Sequence, residues 1–233
     1  MYEKDGITYP RCTEVIKDCS NNSDALIQWA ANQTVGWIRE NAAPIEGGYW
    51  IPDENLDKAR FNFRETSQIA LDVGSEVHNA IEKHLQGKPF DLTSEQAKNA
   101  FAAYLEWKEG VELVAIALEE TVWGKRWAGT LDFLGYYKGK LYVIDWKTSK
   151  AFYPEMRYQV AAYRDAMTKD ALSEDAIPEG CGVLMLNKET GMPTFKDTSK
   201  TYKKDLEVFN KMVELYILKH PRIAKRFKEG KND

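Results

Sequence analysis

Cysteine is scarce in this chain, and its three copies, Cys12, Cys19 and Cys181, show no CxxC spacing. An odd number of widely separated cysteines indicates neither a disulfide framework nor a structural zinc site. Long apolar runs are also absent, since none approaches the about 20 residues that a membrane-spanning helix needs. The first residues, MYEKDGITYP, lack the apolar core of a signal peptide. We therefore expect reduced thiols, no membrane partner and a cytoplasmic location.

An excess of basic charge is missing as well. The chain has 32 Lys and Arg against 36 Asp and Glu, a formal net charge of −4, which by itself does not favour a nucleic-acid binder. Net charge alone can mislead, however, because a protein can confine its basic residues to one groove. The segment KHPRIAKRFKEGK, residues 219–231, is basic enough to belong to such a groove, and a solvated tail is the alternative.

The composition fits one folded domain, because 43% of the residues are hydrophobic and 29% are charged. No internal repeat or low-complexity tract interrupts it. The first third, to about residue 65, is aromatic-rich and irregular. Ser23 caps a predicted helix from Asp24 to Glu40, and a turn-rich loop over 41–55 follows it. A second helix is predicted from Ser67 to Gln86, where Gly87 stops it. A third begins at a Thr93–Gln96 capping box and ends near Gly110.

Strands are expected in the second half of the chain. The β-branched and aromatic runs 111–123, 127–137 and 140–147, with glycines at the joints, predict an antiparallel meander. A helix over 154–169, a buried strand over 181–188 and an amphipathic helix over 200–220 follow. The predicted order is α-β-β-β-α-β-α, an α/β fold.

The run VIDWKTS, residues 143–149, places a carboxylate and an ammonium two residues apart on one strand. If Lys138 and Gly139 form a two-residue turn, the register of the hairpin sets Asp132 directly opposite Asp145. Like charges so placed are destabilising unless a divalent cation lies between them. Strand alternation puts Lys147 on the face of Asp145, with Tyr142, Ile144 and Trp146 on the other face, towards the core. A charged pair on a solvated face is the common alternative for any single Asp-x-Lys.

Three short motifs occur in the order that a known superfamily shows. They are Gly129-Thr130-Leu131-Asp132, Asp145-Trp146-Lys147-Thr148-Ser149 and Gln159-x-x-x-Tyr163, preceded by His78 on a predicted helix. Together they resemble the PD-(D/E)XK nucleases, closest to the RecB-like and phage exonuclease branch, over about residues 68–170. The resemblance implies a restriction-endonuclease-like core, with a central mixed sheet and its antiparallel meander flanked by helices.

The resemblance also implies a division of the chain and roles for its residues. Residues 67–200 would form the core, 1–66 a mainly helical N-terminal elaboration and 201–233 a C-terminal helix with a basic tail. The catalytic residues would be Asp132, Asp145, Lys147 and Glu119. The metal-binding residues would be His78, Glu119, Asp132, Asp145 and Trp146. The residues that face the substrate would be Gln159, Tyr163, Thr148, Ser149, Lys150 and Arg157. The first-strand acid is either Glu119 or Glu120, and we favour Glu119 from its spacing.

The function that the resemblance implies is a Mg²⁺- or Mn²⁺-dependent DNA exonuclease of recombination, replication or repair, plausibly phage-encoded and acting in a bacterial host cell. A restriction-like or structure-specific endonuclease and a non-catalytic module that binds DNA ends are the alternatives. An iron–sulfur cluster is not expected, because only Cys181 follows the core. A recombinase or single-strand-binding partner and a homo-oligomer stay open.

The segment KARFNFRE, residues 58–65, mixes aromatic and basic side chains. Such interleaving suits single-stranded nucleic acid, whose bases stack on aromatic rings. Packing of the same aromatics beneath a loop is the alternative.

Overall fold

A computed structural model describes residues 1–20, 23–171, 173 and 176–229. The chain divides into two compact units, one formed by residues 1–20 with 76–233 and the other by residues 21–75. Residues 1–20 thus group with the core, whereas the sequence-based division sets residues 1–66 apart. Within the described residues, no helix combines the length and the apolar character that crossing a bilayer requires.

The larger unit is built on a five-stranded mixed sheet in the order β5-β6-β7-β8-β9. Its first three strands form the predicted antiparallel meander, β8 runs parallel to β7, and β9 is antiparallel to β8. This confirms an α/β fold with a central mixed sheet. The strands are β5 (Leu113–Trp123), β6 (Ala128–Tyr137), β7 (Lys140–Lys147), β8 (Gly180–Leu186) and β9 (Pro193–Asp197), of which β9 was not predicted.

Helices cover both faces of this sheet. One face packs against α1, α5 and α6 through a core that includes Val143, Val160 and Phe209. The other face carries aromatic rings, among them Trp146, which meets Tyr104 and Trp107 of α4 edge to face. Helix α5 is the crossover between the parallel strands β7 and β8. The helices of this unit are α1 (Cys12–Cys19), α4 (Glu95–Glu109), α5 (Pro154–Asp170), α6 (Tyr202–Lys219) and α7 (Pro221–Glu229).

Strand β7 is central, so both of its faces are buried. The prediction that only Tyr142, Ile144 and Trp146 pack on the core is therefore incomplete, because Val143 is fully buried on the opposite face. A strand hydrogen-bonded on both sides and covered on both faces reads as a near-continuous apolar run. Within that run, Asp145 is a buried carboxylate that needs partners.

The turn between β6 and β7 is the two-residue turn that the sequence predicts. Lys138 and Gly139 have positive φ angles of 53° and 75°, as a type I′ hairpin requires. Five residue pairs, beginning with Tyr137 and Lys140, follow the predicted register. The two aspartates of the hairpin stand one step beyond the last pair.

The smaller unit differs most from its prediction. The expected loop over 41–55 contains a hairpin, β3 (Ala43–Ile45) and β4 (Gly48–Trp50), and the following helix α3 begins at Asp53 rather than Ser67. KARFNFRE is therefore helical, and the guanidinium of Arg64 lies 4.7 Å from the ring centre of Phe61. Helix α2 spans Ser23–Asn41 and α3 spans Asp53–Leu85. The predicted capping contact of Ser23 lies outside the described side chains.

Two further local predictions change. The N-cap of α4 is Ser94, whose hydroxyl accepts from the Ala97 amide at 3.1 Å, so the capping box at Thr93 is wrong. Thr93 instead donates from its amide and its hydroxyl to Glu76, which also accepts from Ser94 at 3.1 Å. Glu76 thereby ties α3 to the start of α4, two residues before His78.

The chain ends hold structure that was not predicted. An N-terminal hairpin, β1 (Tyr2–Lys4) and β2 (Ile7–Tyr9), precedes α1. The basic segment 219–231 contains α7, although residues 230–233 lie outside the described part. Helix α7 packs on β2 and α6.

Candidate metal centre

Glu119, Asp132 and Asp145 stand side by side on three adjacent strands. The β5–β6 register, continued by one residue, sets Glu119 opposite Asp132, and the β6–β7 register sets Asp132 opposite Asp145. Both pairs are missing from the regular ladder, which is interrupted at this level of the sheet. The arrangement concentrates three carboxylates where the ladder between β5 and β6 is interrupted and the ladder between β6 and β7 ends.

His78 of α3 lies over this row of carboxylates. Its Nδ1 is 3.4 Å from Asp132 Oδ1 and 3.8 Å from Glu119 Oε1. Possible ligand atoms of these three residues all lie within 4.8 Å of one another. Burial opposes the charged imidazole, but the Asp132 and Glu119 carboxylates outweigh it and raise the pKa of His78 to about 10. With its proton, the imidazole adds positive charge beside these carboxylates, and it would have to release that proton before Nδ1 could bind a metal ion.

Asp132 is fixed by the backbone of the neighbouring strand. Its Oδ2 accepts the Trp146 amide hydrogen at 2.7 Å, which explains why the ladder stops before the aspartate pair. Burial would raise the pKa of Asp132, but His78, Lys147 and the Trp146 amide together lower it. Asp132 is therefore ionised, with Oδ1 turned towards His78.

Asp145 has no exposed surface, and each of its oxygens faces a different group. Gln159 Nε2 donates to Oδ1 at 2.9 Å, while Lys147 Nζ lies 2.5 Å from Oδ2. Oδ2 therefore has the Lys147 ammonium group as its ionic partner and no second donor among the described residues. Burial raises the pKa of Asp145 even though Lys147 opposes the rise. Burial would lower the pKa of Lys147, but the neighbouring carboxylates of Asp145 and Asp132 outweigh it and raise that pKa.

Gln159 and Tyr163 of α5 form the support behind Asp145. Gln159 Nε2 also donates to the Tyr163 hydroxyl at 3.1 Å, and both side chains are buried. Tyr163 lies against Gly129, where an added β-carbon would stand 2.7 Å from the ring. Sequence reasoning quoted Gly129 but gave it no role; a glycine inside a strand is the signal of such a close approach.

Glu119 adopts a backbone conformation that is rare for its residue type. Its φ of 48° lies in the left-handed region, which costs a non-glycine residue roughly 1–2 kcal/mol. The side chain is one-third exposed, at 34%. Glu120, the alternative acid, stays within the regular ladder opposite Leu131. The geometry therefore brings Glu119 to His78.

The remaining predicted substrate residues lie outside this cluster. Lys150 pairs with Glu189 at 2.7 Å, and the Arg157 guanidinium lies 3.7 Å from Asp205. The Ser149 hydroxyl donates to a nearby backbone carbonyl, that of Ala151. Thr148 is half-buried. Trp146 contributes its amide to Asp132 and its ring to the core.

The donor set fits a small divalent cation. Carboxylate oxygens of Glu119 and Asp132 lie with the His78 imidazole nitrogen close enough to share one ion, and Asp145 stands on the next strand. Carboxylate oxygens are the ligands that Mg²⁺ and Mn²⁺ prefer. Facing carboxylates on adjacent strands, Glu119 with Asp132 and Asp132 with Asp145, destabilise a sheet unless positive charge lies near them. A cation between the carboxylates would supply such charge in addition to that of Lys147.

No protein-family model and no curated protein matches the chain.

Proposed function

We propose that this protein is a metal-dependent deoxyribonuclease of the PD-(D/E)XK superfamily, acting as an exonuclease on DNA. The observation that carries the proposal is the placement of Lys147 Nζ 2.5 Å from Asp145 Oδ2, beside Asp132 and Glu119 on the adjacent strands. A purely structural hairpin would be more stable without carboxylates at opposed positions. The presence of these opposed carboxylates favours a site that binds a cation and a phosphate.

The order of the elements supports membership in the superfamily. The acids lie on the three strands of the meander, the Gln159–Tyr163 helix follows directly, and a parallel strand closes the unit. That arrangement is what a restriction-endonuclease-like core implies. The missing iron–sulfur cysteines agree with the RecB-like members that lack the cluster.

The residues divide the work of hydrolysis between them. Glu119, Asp132 and Asp145, with His78, would hold Mg²⁺ or Mn²⁺, which supplies Lewis acidity towards the scissile phosphate when bound. Lys147 donates hydrogen bonds that orient the attacking water in line with the phosphorus–oxygen bond. Water attacks phosphorus, the 3′-oxygen leaves, and the product carries a 5′-phosphate. Gln159 keeps Asp145 aligned throughout.

The test uses purified full-length protein with end-labelled linear DNA, single- and double-stranded, and with covalently closed circular DNA. Mg²⁺, Mn²⁺ or EDTA is added to each substrate. Loss of only the linear forms, dependent on metal, is the expected result, and Asp145→Asn should abolish it while the variant keeps a cooperative thermal transition. Cleavage by the folded Asp145→Asn variant would contradict the assignment of this site as the catalytic one.

The two alternatives give different results in the same assay. Cutting of closed circles identifies an endonuclease on the same core, since a strict exonuclease needs an end. Binding to DNA ends without cleavage of any substrate, with either metal present, identifies a non-catalytic module. The opposed carboxylates argue against that module, because binding alone does not need them.

A further inference from the structure

The basic C-terminal helix forms one side of a cationic cleft. Helix α7 buries Ile223 against the core and turns Arg222 and Arg226, four residues apart on one face, to solvent. These arginines line a cleft of about 370 Å³ together with Lys219 and His220 of the α6–α7 turn. Four of the side chains that line the cleft are therefore basic.

The charges of the cleft are only partly balanced. Asp18 lies 2.6 Å from Lys219 and 3.6 Å from His220, so it is committed to those two groups. Among the described residues, Arg222 and Arg226 have no carboxylate within ion-pair distance. Two exposed guanidinium groups that lack a carboxylate partner among the described side chains, set one helical turn apart, are suited to phosphate oxygens.

An aromatic cluster joins this cleft to the strands of the metal centre. Phe227 of α7 packs 5.2 Å from Tyr9 of the N-terminal hairpin, and Tyr9 packs 5.3 Å from Trp123 at the end of β5. The ammonium group of Lys4 lies 5.3 Å from the centre of the half-buried Trp123 ring. Aromatic rings mixed with basic groups bind unpaired bases by stacking and track their backbone by charge.

The cluster is close to the proposed catalytic residues along both strands. Trp123 follows Glu119 by four residues on β5, about 13 Å at the usual rise of a strand. The Tyr2 hydroxyl is hydrogen-bonded at 2.7 Å to Thr130, which precedes Asp132 by two residues on β6. A DNA strand that leaves the metal centre would therefore meet the N-terminal hairpin first and the arginine cleft next.

We propose that single-stranded DNA is held along this surface, from the metal centre across Trp123 and Lys4 to Arg222 and Arg226. The inference rests on the proposed nuclease function and names the form of DNA and the side on which it lies. Bases in a duplex are stacked on one another and cannot also stack on the half-buried Trp123 ring, so the aromatic part of the surface favours an unpaired strand.

Binding of fluorescein-labelled oligothymidine to the full-length protein in EDTA tests this without cleavage. The variant Arg222→Glu/Arg226→Glu should bind at least about tenfold more weakly, and its salt slope should fall by roughly 1.4 for two lost contacts to a single strand. The control Lys196→Glu/Lys203→Glu makes the same charge change at two exposed lysines, one of them on β9 at the opposite edge of the sheet, and should bind as the wild type does.

Each outcome decides one part of the inference. Equal losses in both variants, or no loss in the arginine variant, overturn the cleft as a binding site. Blunt duplex that binds as tightly as oligothymidine, with the same dependence on the arginines, overturns the single-strand assignment. If linear DNA is cleaved in Mg²⁺ but the arginine variant binds as the wild type does, the nuclease proposal holds and the binding surface is wrong. If binding depends on the arginines but no DNA is cleaved, the binding surface holds and the nuclease proposal is wrong.

Discussion

A β-carbon on Gly129 would stand 2.7 Å from Cε1 and 2.9 Å from the hydroxyl of Tyr163, so the absence of a side chain on β6 gives the tyrosine of α5 its place. Gly129→Ala should push the ring away from Gln159 and lower the free energy of unfolding by about 1–3 kcal/mol, as overpacking does. Urea denaturation measures the change.

Two variants show whether that loss comes from the ring. Gly36→Ala in α2 has nothing within 4 Å of the added carbon, so it should stabilise the protein by about 0.5–1 kcal/mol, as removal of a helical glycine does. In a double-mutant cycle, Gly129→Ala should cost much less when Tyr163→Ala is already present. Additive losses would mean that the two residues do not oppose each other.

Gln159→Leu should leave Oδ1 of buried Asp145 without its donor. An unsatisfied buried acceptor costs about 1–3 kcal/mol, so the midpoint of urea unfolding should fall. In the nuclease assay kcat should decrease while KM for DNA stays near its wild-type value, because Gln159 is buried and contacts Asp145 rather than solvent. A rise in KM with unchanged kcat would instead assign Gln159 to the substrate.

Glu119 has a strained backbone and a side chain at a proposed ligand position. Two substitutions separate the backbone strain from the metal binding. Glu119→Gly relieves the positive φ and should be about 1 kcal/mol more stable than Glu119→Ala, which keeps it. For a chain of this size that difference is about 2–4 °C in Tm. Mn²⁺ should raise the Tm of the wild type, and both variants should lose that rise. Equal Tm values for the two variants would contradict strain at this position.

Lys147→Gln should separate catalysis from metal binding. The lysine is not a metal ligand and adds positive charge near the site, so its removal should preserve or strengthen Mn²⁺ binding in calorimetry. Cleavage should fall at least about 100-fold, as for loss of a group that orients the reacting atoms. Lys150→Gln is the matched control, because Lys150 pairs with Glu189 outside the cluster and should leave the rate near normal.

Stability in acid should depend on Asp197. Burial opposes the charged form, but hydrogen bonds from the Ser199 amide at 2.8 Å and the Tyr142 hydroxyl at 3.1 Å lower the pKa of Asp197 overall. A lowered folded-state pKa gives stability that is present above the ordinary value, about 4, and is lost as the pH falls through the folded value. Asp197→Asn should therefore show a smaller decrease in Tm between neutral and acidic pH. A wild-type slope in this variant would assign the acid sensitivity elsewhere.

The central strands were predictable because their signals are local. Lys138-Gly139 between two alternating runs specifies a type I′ turn, and the turn fixes the register of β6 on β7. The apolar run that became β8 likewise needs only its neighbours in sequence. From these the approach of Asp132 to Asp145 follows directly.

What the sequence left out depends on distant partners. The Tyr2 hydroxyl reaches Thr130, 128 residues away, and no local pattern indicates that contact. The left-handed turn at Glu119 arises where β5 must leave its ladder with β6, and glutamate gives no sign of it. In α3, aromatic and charged residues from Asp53 onward look irregular along the chain, although they form one continuous helix.

Strand β7 is paired on both sides, whereas β5 is the edge of the sheet and its pairing is interrupted at Glu119. Amides in a central buried strand exchange with solvent only through large-scale unfolding, while those of an interrupted edge strand exchange through small local openings. A cation shared by Glu119 and Asp145 would therefore join a slowly exchanging strand to a rapidly exchanging one. Its binding would slow hydrogen exchange in both strands, in β5 by suppressing local openings and in β7 by stabilising the folded state as a whole.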